Sequence, residues 1–267
     1  MNQSLLEHLM TDVEKHGPQL LQRILTASTE HGMYGMQLLR ALHDQVPKSR
    51  CGDCGDCCNA VSIYSLEYHL IVRDLLTRLP PQRIRALLLE ALRIDRRLAE
   101  VGEENRLRCV FRDNERRLCL IHPARPFPCR IFGLLREGTP RECDRVQELD
   151  PCQPLQQAFL DDLQVKVMSN SESFSPFPGL GEIAFFPFEF WLYRYSLGIE
   201  KALELYREIL VPASTPLSDF WKSERRRTAE GNPSLVVPPP ESQSNRSPSR
   251  LSVPLATPGE LDHLRQH

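Results

Sequence analysis

The chain lacks the features that direct a protein into or across a membrane. Its first residues, MNQSLLEHLMTDVEKHG, contain neither a basic start nor a long apolar stretch, so we expect no secretory signal. No window approaches the roughly 18 uninterrupted apolar residues of a membrane-spanning helix. A net charge of −2 gives the chain no overall electrostatic attraction to membranes or nucleic acid. We therefore expect a cytoplasmic protein without a membrane partner.

The sequence also lacks the motifs of several common enzyme classes. It contains no Walker phosphate-binding loop, no glycine-rich dinucleotide fingerprint and no Ser-His-Asp order. These absences leave no reaction that the sequence names, and whether the protein is an enzyme stays open.

Cysteine is absent from residues 1–50 and 153–267, yet nine cysteines lie between them. An odd number of cysteines, in a chain without an export signal, argues against a disulfide framework. In a reducing compartment, closely spaced thiols are more often metal ligands or redox groups. We therefore expect this segment to bind metal.

The densest part of this segment is CGDCGDCCN, residues 51–59, with four cysteines in eight positions. Its glycines and aspartates favour tight turns, and two-residue gaps let a turn point several thiolates at one centre. Three further cysteines follow at ten-residue steps. The predicted metal ligands are Cys51, Cys54, Cys57, Cys58, Cys109, Cys119 and Cys129.

These blocks resemble the CxxCxxCC zinc- or iron-chelating family, also called YkgJ-type cysteine-cluster proteins. The resemblance covers roughly residues 50–150 and includes CLIHPARPFPCR, residues 119–130. It implies a thiolate-bound iron or zinc centre. A related flagellin lysine N-methylase shares the cysteine signature and is associated with an iron–sulfur cluster, but the cysteines alone do not carry its activity over to this chain. A redox or methyl-transfer-related role is therefore one hypothesis for the centre. His122 stands where a tyrosine is common in the family.

Other side chains near these cysteines are candidates for supporting roles. Cys143, Cys152 and His122 are additional candidate ligands, and we expect Arg125 and Arg130 to donate to the sulfur of Cys129. Residues 73–141 hold 16 arginines and no lysine against nine acidic residues, a surplus that thiolates would largely cancel. A nucleic-acid-binding surface is the competing interpretation, which the interleaved acids and the lack of stacking aromatics disfavour.

The sequence leaves the metal open, because thiolates suit zinc and iron–sulfur clusters equally. A closed zinc site takes four ligands, so seven cysteines require two centres or a cluster with spare thiols. Adjacent side chains such as Cys57 and Cys58 diverge and cannot easily bind one small ion. We favour an iron–sulfur cluster. The alternative is a structural zinc module that serves as a scaffold for protein or nucleic acid.

Apolar periodicity predicts a mainly α fold with a small β-hairpin, hence α+β. The hairpin is expected in 107–121, with Cys109 and Cys119 at corresponding ends of its strands. Proline-rich residues 122–130 are expected to lack regular structure. Helices are predicted within 1–45 with a break at Gly17-Pro18, from Ser65 as N-cap to Leu79, from Pro81 along an inner stripe that ends at Leu98, and over 154–168, 188–195 and 199–210.

Composition divides the chain into three predicted segments. Residues 1–48 form an amino-terminal helical segment, 49–212 the cysteine-cluster metal-binding domain and 213–267 a mostly disordered, proline- and serine-rich tail. The tail has too little apolar surface to offset the chain entropy lost on folding. A protein partner is expected to bind through the amino-terminal helices or the tail.

Overall fold

A computed structural model provides the architecture of most of the chain. It describes residues 2–27, 30–50, 58–101, 104–141, 143, 145–149, 154–174 and 185–211. None of the helices in these ranges is long and apolar enough to cross a membrane. The predicted tail, residues 213–267, is outside this part of the chain.

Helices make up most of the described structure, which confirms the mainly α prediction. They are α1 (Asn2–Thr26), α2 (Glu30–His43), α3 (Ser65–Arg78), α4 (Pro81–Leu92), α5 (Ile94–Arg97), α6 (Phe127–Ile131), α7 (Gln157–Ser173), α8 (Phe188–Leu197) and α9 (Ile199–Leu205). A 3₁₀ turn occupies His122–Ala124, and a π-helical turn over Tyr206–Leu210 follows α9.

The β structure within the described ranges consists of short antiparallel pairs. These are β1 (Ser49–Arg50) with β7 (Gln147–Glu148), β2 (Ser62–Ile63) with β8 (Phe186–Pro187), β3 (Leu98–Val101) with β4 (Glu104–Leu107), and β5 (Arg112–Asp113) with β6 (Leu118–Cys119). Two of the pairs, β1–β7 and β2–β8, join segments that are far apart in sequence.

Helix α3 occupies the centre of the helical packing. It contacts α1, α2, α4, α7 and α8, and every residue from Ser65 to Val72 is buried. A helix covered on all sides needs no polar face, which explains why its apolar residues form no narrow stripe. The prediction of Ser65 as N-cap was wrong by one residue. Tyr64 is the N-cap, and its N–H donates to Glu67 Oε2 at 3.0 Å.

The predicted break near Gly17-Pro18 is confirmed, because a kink divides α1 into two helical parts. His16 leaves helical geometry, with φ −132° and ψ 17°, and α1 resumes on the other side. Pro18 causes this because it lacks an N–H and its ring collides with the carbonyl one turn earlier. Both parts of α1 bury apolar residues, so tertiary packing holds the kinked helix together.

Helix α4 begins at Pro81 as predicted, but it is shorter than its apolar stripe suggested. Ile84 and Leu88 are buried, and the helix ends at Leu92. Leu98 was predicted to face inward, and that prediction was wrong. It begins β3 and is 40% exposed, because the chain leaves helical geometry after Arg97.

The two amino-terminal helices pack onto elements of the cysteine-bearing segment. Helix α1 lies against α4, α3 and α8, and α2 lies against α7 and α3. The described residues belong to one compact unit. The boundaries at 48 and 212 stay predictions.

Helices α2 and α7 approach so closely at Gly35 that a side chain would not fit. A Cβ on Gly35 would lie 2.3 Å from Phe174 Cβ, and Asn170 Nδ2 donates to the Gly35 carbonyl at 3.0 Å. We expect Gly35→Ala to lower the free energy of unfolding by about 1–3 kcal/mol, because overpacking outweighs the gain of about 1 kcal/mol in helix propensity. Chemical denaturation measures the change. Gln37→Ala, on the exposed side of α2, is the control and should change stability by less than about 0.5 kcal/mol. A stabilised Gly35→Ala protein would contradict the close approach.

Candidate metal centre

Backbone pairing places the end of the first cysteine run beside the second cysteine block. The Cys109 N–H donates to the Cys58 carbonyl at 2.9 Å, and the Ala60 N–H donates to the Leu107 carbonyl at 2.7 Å. Asn59 and Arg108 form an antiparallel bridge between these contacts. Cys58 and Cys109, 51 positions apart in the sequence, are therefore neighbours through hydrogen bonds of the main chain.

The hairpin that carries Cys119 is present but smaller than predicted. Strand β5 pairs with β6 so that Arg112 lies opposite Cys119, with residues 114–117 as the turn. The Asp113 carboxylate accepts the Arg116 N–H at 3.1 Å and stabilises that turn. Cys109 is not on a strand, so its predicted place at a strand end was wrong. It precedes the hairpin, and its carbonyl accepts the Arg112 N–H at 3.2 Å.

Cys129 lies in α6, a helix of five residues in a block predicted to be irregular. That prediction was wrong because proline is tolerated in the first turn of a helix, where the N–H has no helical partner. The Phe127 N–H at the start of α6 donates to Glu67 Oε1 at 2.6 Å. This bond fixes the turn containing Cys129 to the central helix α3.

One cavity of about 200 Å³ is lined by all four of these cysteines, Cys58, Cys109, Cys119 and Cys129. We call it the cysteine cavity. Most of its remaining wall is apolar, including Ile71, Val110, Phe111 and Phe188. Its polar or charged lining within the described ranges comes from Asn59, His122, Arg125 and Glu189.

Burial keeps the thiols of Cys109 and Cys129 in their neutral form when no metal is bound. It raises the pKa of Cys109 to about 12 and the pKa of Cys129 well above its ordinary range. Cys119 also raises the pKa of both thiols, and Cys109 raises that of Cys129, since a second thiolate nearby makes ionisation harder still. A metal ion would have to displace these protons on binding, as thiolate ligation always requires.

The donor chemistry of the cysteine cavity fits zinc or iron, since several thiols converge on a largely apolar space. The described side chains alone do not form a finished site. No three of their His, Cys, Asp or Glu groups are arranged as a metal would need. The predicted ligands Cys51, Cys54, Cys57 and Cys152 are not among the residues whose structure is described.

Two other candidate ligands differ in their relation to the cavity. His122 lines it, and desolvation together with Arg125 and Arg130 lowers the pKa of its imidazole. Cys143 is half-buried against the apolar core and is not among the described lining residues. Gly133, which lies close to Cys143 in space, has φ +73°. A Cβ at Gly133 would lie 2.7 Å from Val146, a residue of the cavity wall.

The two predicted supporting arginines have different surroundings. Arg125 lines the cysteine cavity and donates to the Ser49 carbonyl at 3.4 Å, while its buried Nε has no acceptor among the described residues. Arg130 donates to the Arg125 and Pro123 carbonyls, both at 2.7 Å. Arg130 thus braces the backbone of the block that carries Cys129.

Two buried acids near the cavity were not found from the sequence. Glu67 holds the α6 turn, and Glu189 lines the cavity from α8. Neither belongs to a motif with a fixed spacing. The available signal was the isolation of Glu189 within the apolar and aromatic run FFPFEFWLY, because a lone acid there is buried only if it has a partner.

Comparison with known proteins finds a family match for the same cysteine-bearing segment. Residues 50–152 match the model of one protein family, CxxCxxCC, which is described as a putative zinc- or iron-chelating domain. No curated protein and no solved structure matches the chain significantly. The match confirms the family resemblance and spans all nine cysteines. Of the two buried acids, Glu67 lies within the matched segment and Glu189 lies outside it.

The hydrogen bonds of Glu67 make a testable contribution to stability. We expect Glu67→Ala to lower the free energy of unfolding by about 3 kcal/mol, because it leaves the Tyr64 and Phe127 N–H groups without their carboxylate acceptor. Chemical denaturation measures the loss. Glu14→Ala, at an exposed position of α1, is the control and should change stability by less than about 0.5 kcal/mol. Equal stability of the two variants would contradict the role given to Glu67.

Proposed function

We propose that this chain, which carries a zinc- or iron-chelating CxxCxxCC domain at residues 50–152, holds an iron–sulfur cluster in its cysteine cavity. The observation that carries this proposal is the convergence of four cysteines, from separate stretches of sequence, on one cavity. The proposed ligands are drawn from Cys51, Cys54, Cys57, Cys58, Cys109, Cys119 and Cys129, with Cys143, Cys152 and His122 as additional candidates.

Three features favour a cluster over a single ion. The proposed thiol ligands outnumber the four that a closed zinc site takes. The cavity, at about 200 Å³, has several times the roughly 30 Å³ that one water molecule occupies in the liquid. The apolar wall around Phe111 and Phe188 keeps water away, and solvent exclusion is one of the factors that tune the reduction potential of such clusters.

The chain's own residues would prepare and hold the site. Cys109 and Cys129 would lose their protons to bind. Arg125 lines the cavity and would donate its Nε–H, which has no acceptor among the described residues, to a sulfur. Glu67 and Arg130 would keep the Cys129 turn in position. When bound, the cluster would supply electron-transfer or methyl-transfer-related chemistry, and we propose this role for a cytoplasmic protein.

A structural zinc module is the second candidate, and the short strands around the cavity favour it. Strands β5 and β6 have two residues each, so few main-chain bonds hold this region together. A zinc ion that cross-links cysteines of this region would contribute directly to folding. In this case the amino-terminal helices or the tail would bind a protein partner, without chemistry at the metal.

Anaerobic purification of the full chain distinguishes the two candidates. For an iron–sulfur cluster we expect a brown protein with stoichiometric iron and acid-labile sulfide, and with visible absorbance that bleaches in air. A colourless, air-stable protein with stoichiometric zinc would support the structural module instead. The measurements are an absorbance scan and elemental analysis. Absence of both metals in stoichiometric amounts would contradict metal binding itself.

A matched pair of cysteine variants tests the proposed ligands. We expect Cys109→Ser to lose most of its metal and part of its stability, because Cys109 lines the cavity and metal binding is coupled to folding. Cys143→Ser is the comparison, since Cys143 is an additional candidate that is half-buried but not among the described lining residues, and full metal content in this variant would remove it from the candidates. Metal content per chain and thermal denaturation are the measurements. Full metal content in Cys109→Ser would remove Cys109 from the ligand set.

A further inference from the structure

Glu189 is a buried acid on the wall of the cysteine cavity, and it lies outside the matched family segment. It is the second residue of α8, only 1% exposed, in an apolar and aromatic surrounding. Residues 50–152 do not include it, so the cysteine signature assigns it no role. Its place in the cavity wall depends on the packing of α8 against α3 and α1.

One oxygen of this carboxylate has a well-defined partner. Glu189 Oε1 lies 2.6 Å from Arg97 Nη2, and Arg97 is itself only 5% exposed. The same guanidinium donates to the Arg108 carbonyl through Nε at 2.9 Å and through Nη2 at 2.6 Å. Its Nη1 donates to the Ala91 carbonyl at 3.1 Å. Arg97 therefore fixes Glu189 and the residue before Cys109 together.

The other oxygen is buried without a hydrogen-bond partner in the part of the chain that is described. Glu189 Oε2 accepts from no donor there. A buried, unpaired carboxylate oxygen costs several kcal/mol in principle, so native structures rarely leave one without an ion or water molecule. Because Glu189 lines the cysteine cavity, a cation bound in that cavity is the simplest partner for Oε2.

Cys109 is close enough to this carboxylate for the two groups to influence each other. The negative charge of Glu189 raises the pKa of the Cys109 thiol, while Arg97 lowers it, after the larger effect of burial. A thiol and a carboxylate side by side repel each other once both are ionised. A metal cation between them turns this repulsion into attraction for both.

We propose that Glu189 is an oxygen ligand of the metal centre, bound through Oε2 beside Cys109. This inference rests on the proposed metal binding and deepens it, because it makes the donor set sulfur plus oxygen. Both zinc and iron accept carboxylate oxygen. In an iron–sulfur cluster, the iron bound to Glu189 differs from the irons bound only by sulfur. Arg97 is a positioning residue that orients the carboxylate from behind.

X-ray absorption at the edge of the bound metal tests this assignment on the full, anaerobically purified chain. We expect sulfur scatterers at about 2.3 Å and an additional light scatterer at about 2.0–2.2 Å. Glu189→Gln should lose the light scatterer and bind metal at least about 10-fold more weakly. Its amide oxygen can still accept from Arg97, so the internal hydrogen bond can remain. For ⁵⁷Fe-labelled protein, Mössbauer spectroscopy should show one distinct iron site that Glu189→Gln abolishes.

Glu148→Gln is the matched control, because Glu148 is also a partly buried carboxylate paired with an arginine, Arg141. It does not line the cysteine cavity among the described residues and should leave the spectra unchanged. His122→Ala separates Glu189 from the histidine as the source of the light scatterer. This second variant also keeps the test decisive if Glu189→Gln fails to fold. A light scatterer that survives in His122→Ala supports the assignment.

The results separate the two levels of the proposal. A protein with stoichiometric metal and a sulfur-only shell, unchanged in Glu189→Gln, would overturn the role of Glu189 and leave metal binding by the cysteines intact. Loss of the light scatterer in His122→Ala would also overturn it. A wild-type chain without stoichiometric metal would instead overturn the proposed function, on which this inference rests.

Discussion

The region around the cysteines depends on satisfying the hydrogen bonds of a largely irregular backbone. Short strands and isolated turns leave many carbonyls without a partner from a helix or sheet, and a buried carbonyl needs a donor. Arginine side chains supply many of these donors. Arg78 donates to the Leu120 carbonyl, Arg97 to those of Ala91 and Arg108, Arg125 to Ser49, Arg130 to Arg125 and Pro123, and Arg141 to Val146.

This arrangement gives a physical reason for arginine, rather than lysine, between residues 73 and 141. A guanidinium has five donors in a fixed plane and can hold two carbonyls, or a carbonyl and a carboxylate, at once. Arg97 uses this capacity fully, with two carbonyls and Glu189. Bracing of backbone carbonyls thus accounts for part of the positive charge of the segment. Only Arg125, among the arginines described, is a lining residue of the cysteine cavity.

The parts of the fold that depend on repeating patterns could be predicted from the sequence. The buried stripe of α4 and the aromatic helix α8 both follow from spacing. Features fixed by single tertiary contacts could not be predicted. Helix α6 is held by the carboxylate of Glu67, 60 positions earlier in the sequence. Strand β3 begins at Leu98, a position that the apolar periodicity had assigned to a helix. No sequence pattern predicts a role for Glu189, because only the packing of α8 brings this residue to the cavity.

The central position of Glu67 has a consequence for how small the protein could become. Its carboxylate caps α3, holds the Cys129 turn and lies 3.4 Å from the buried imidazole of His43 at the end of α2. An excised fragment limited to residues 50–152 would strip away α1, α2 and α8 and open this carboxylate, the inner face of α3 and one wall of the cavity to solvent. The family signature contains the thiols. The apolar surroundings of these thiols, however, depend on helices that precede and follow the signature in the sequence.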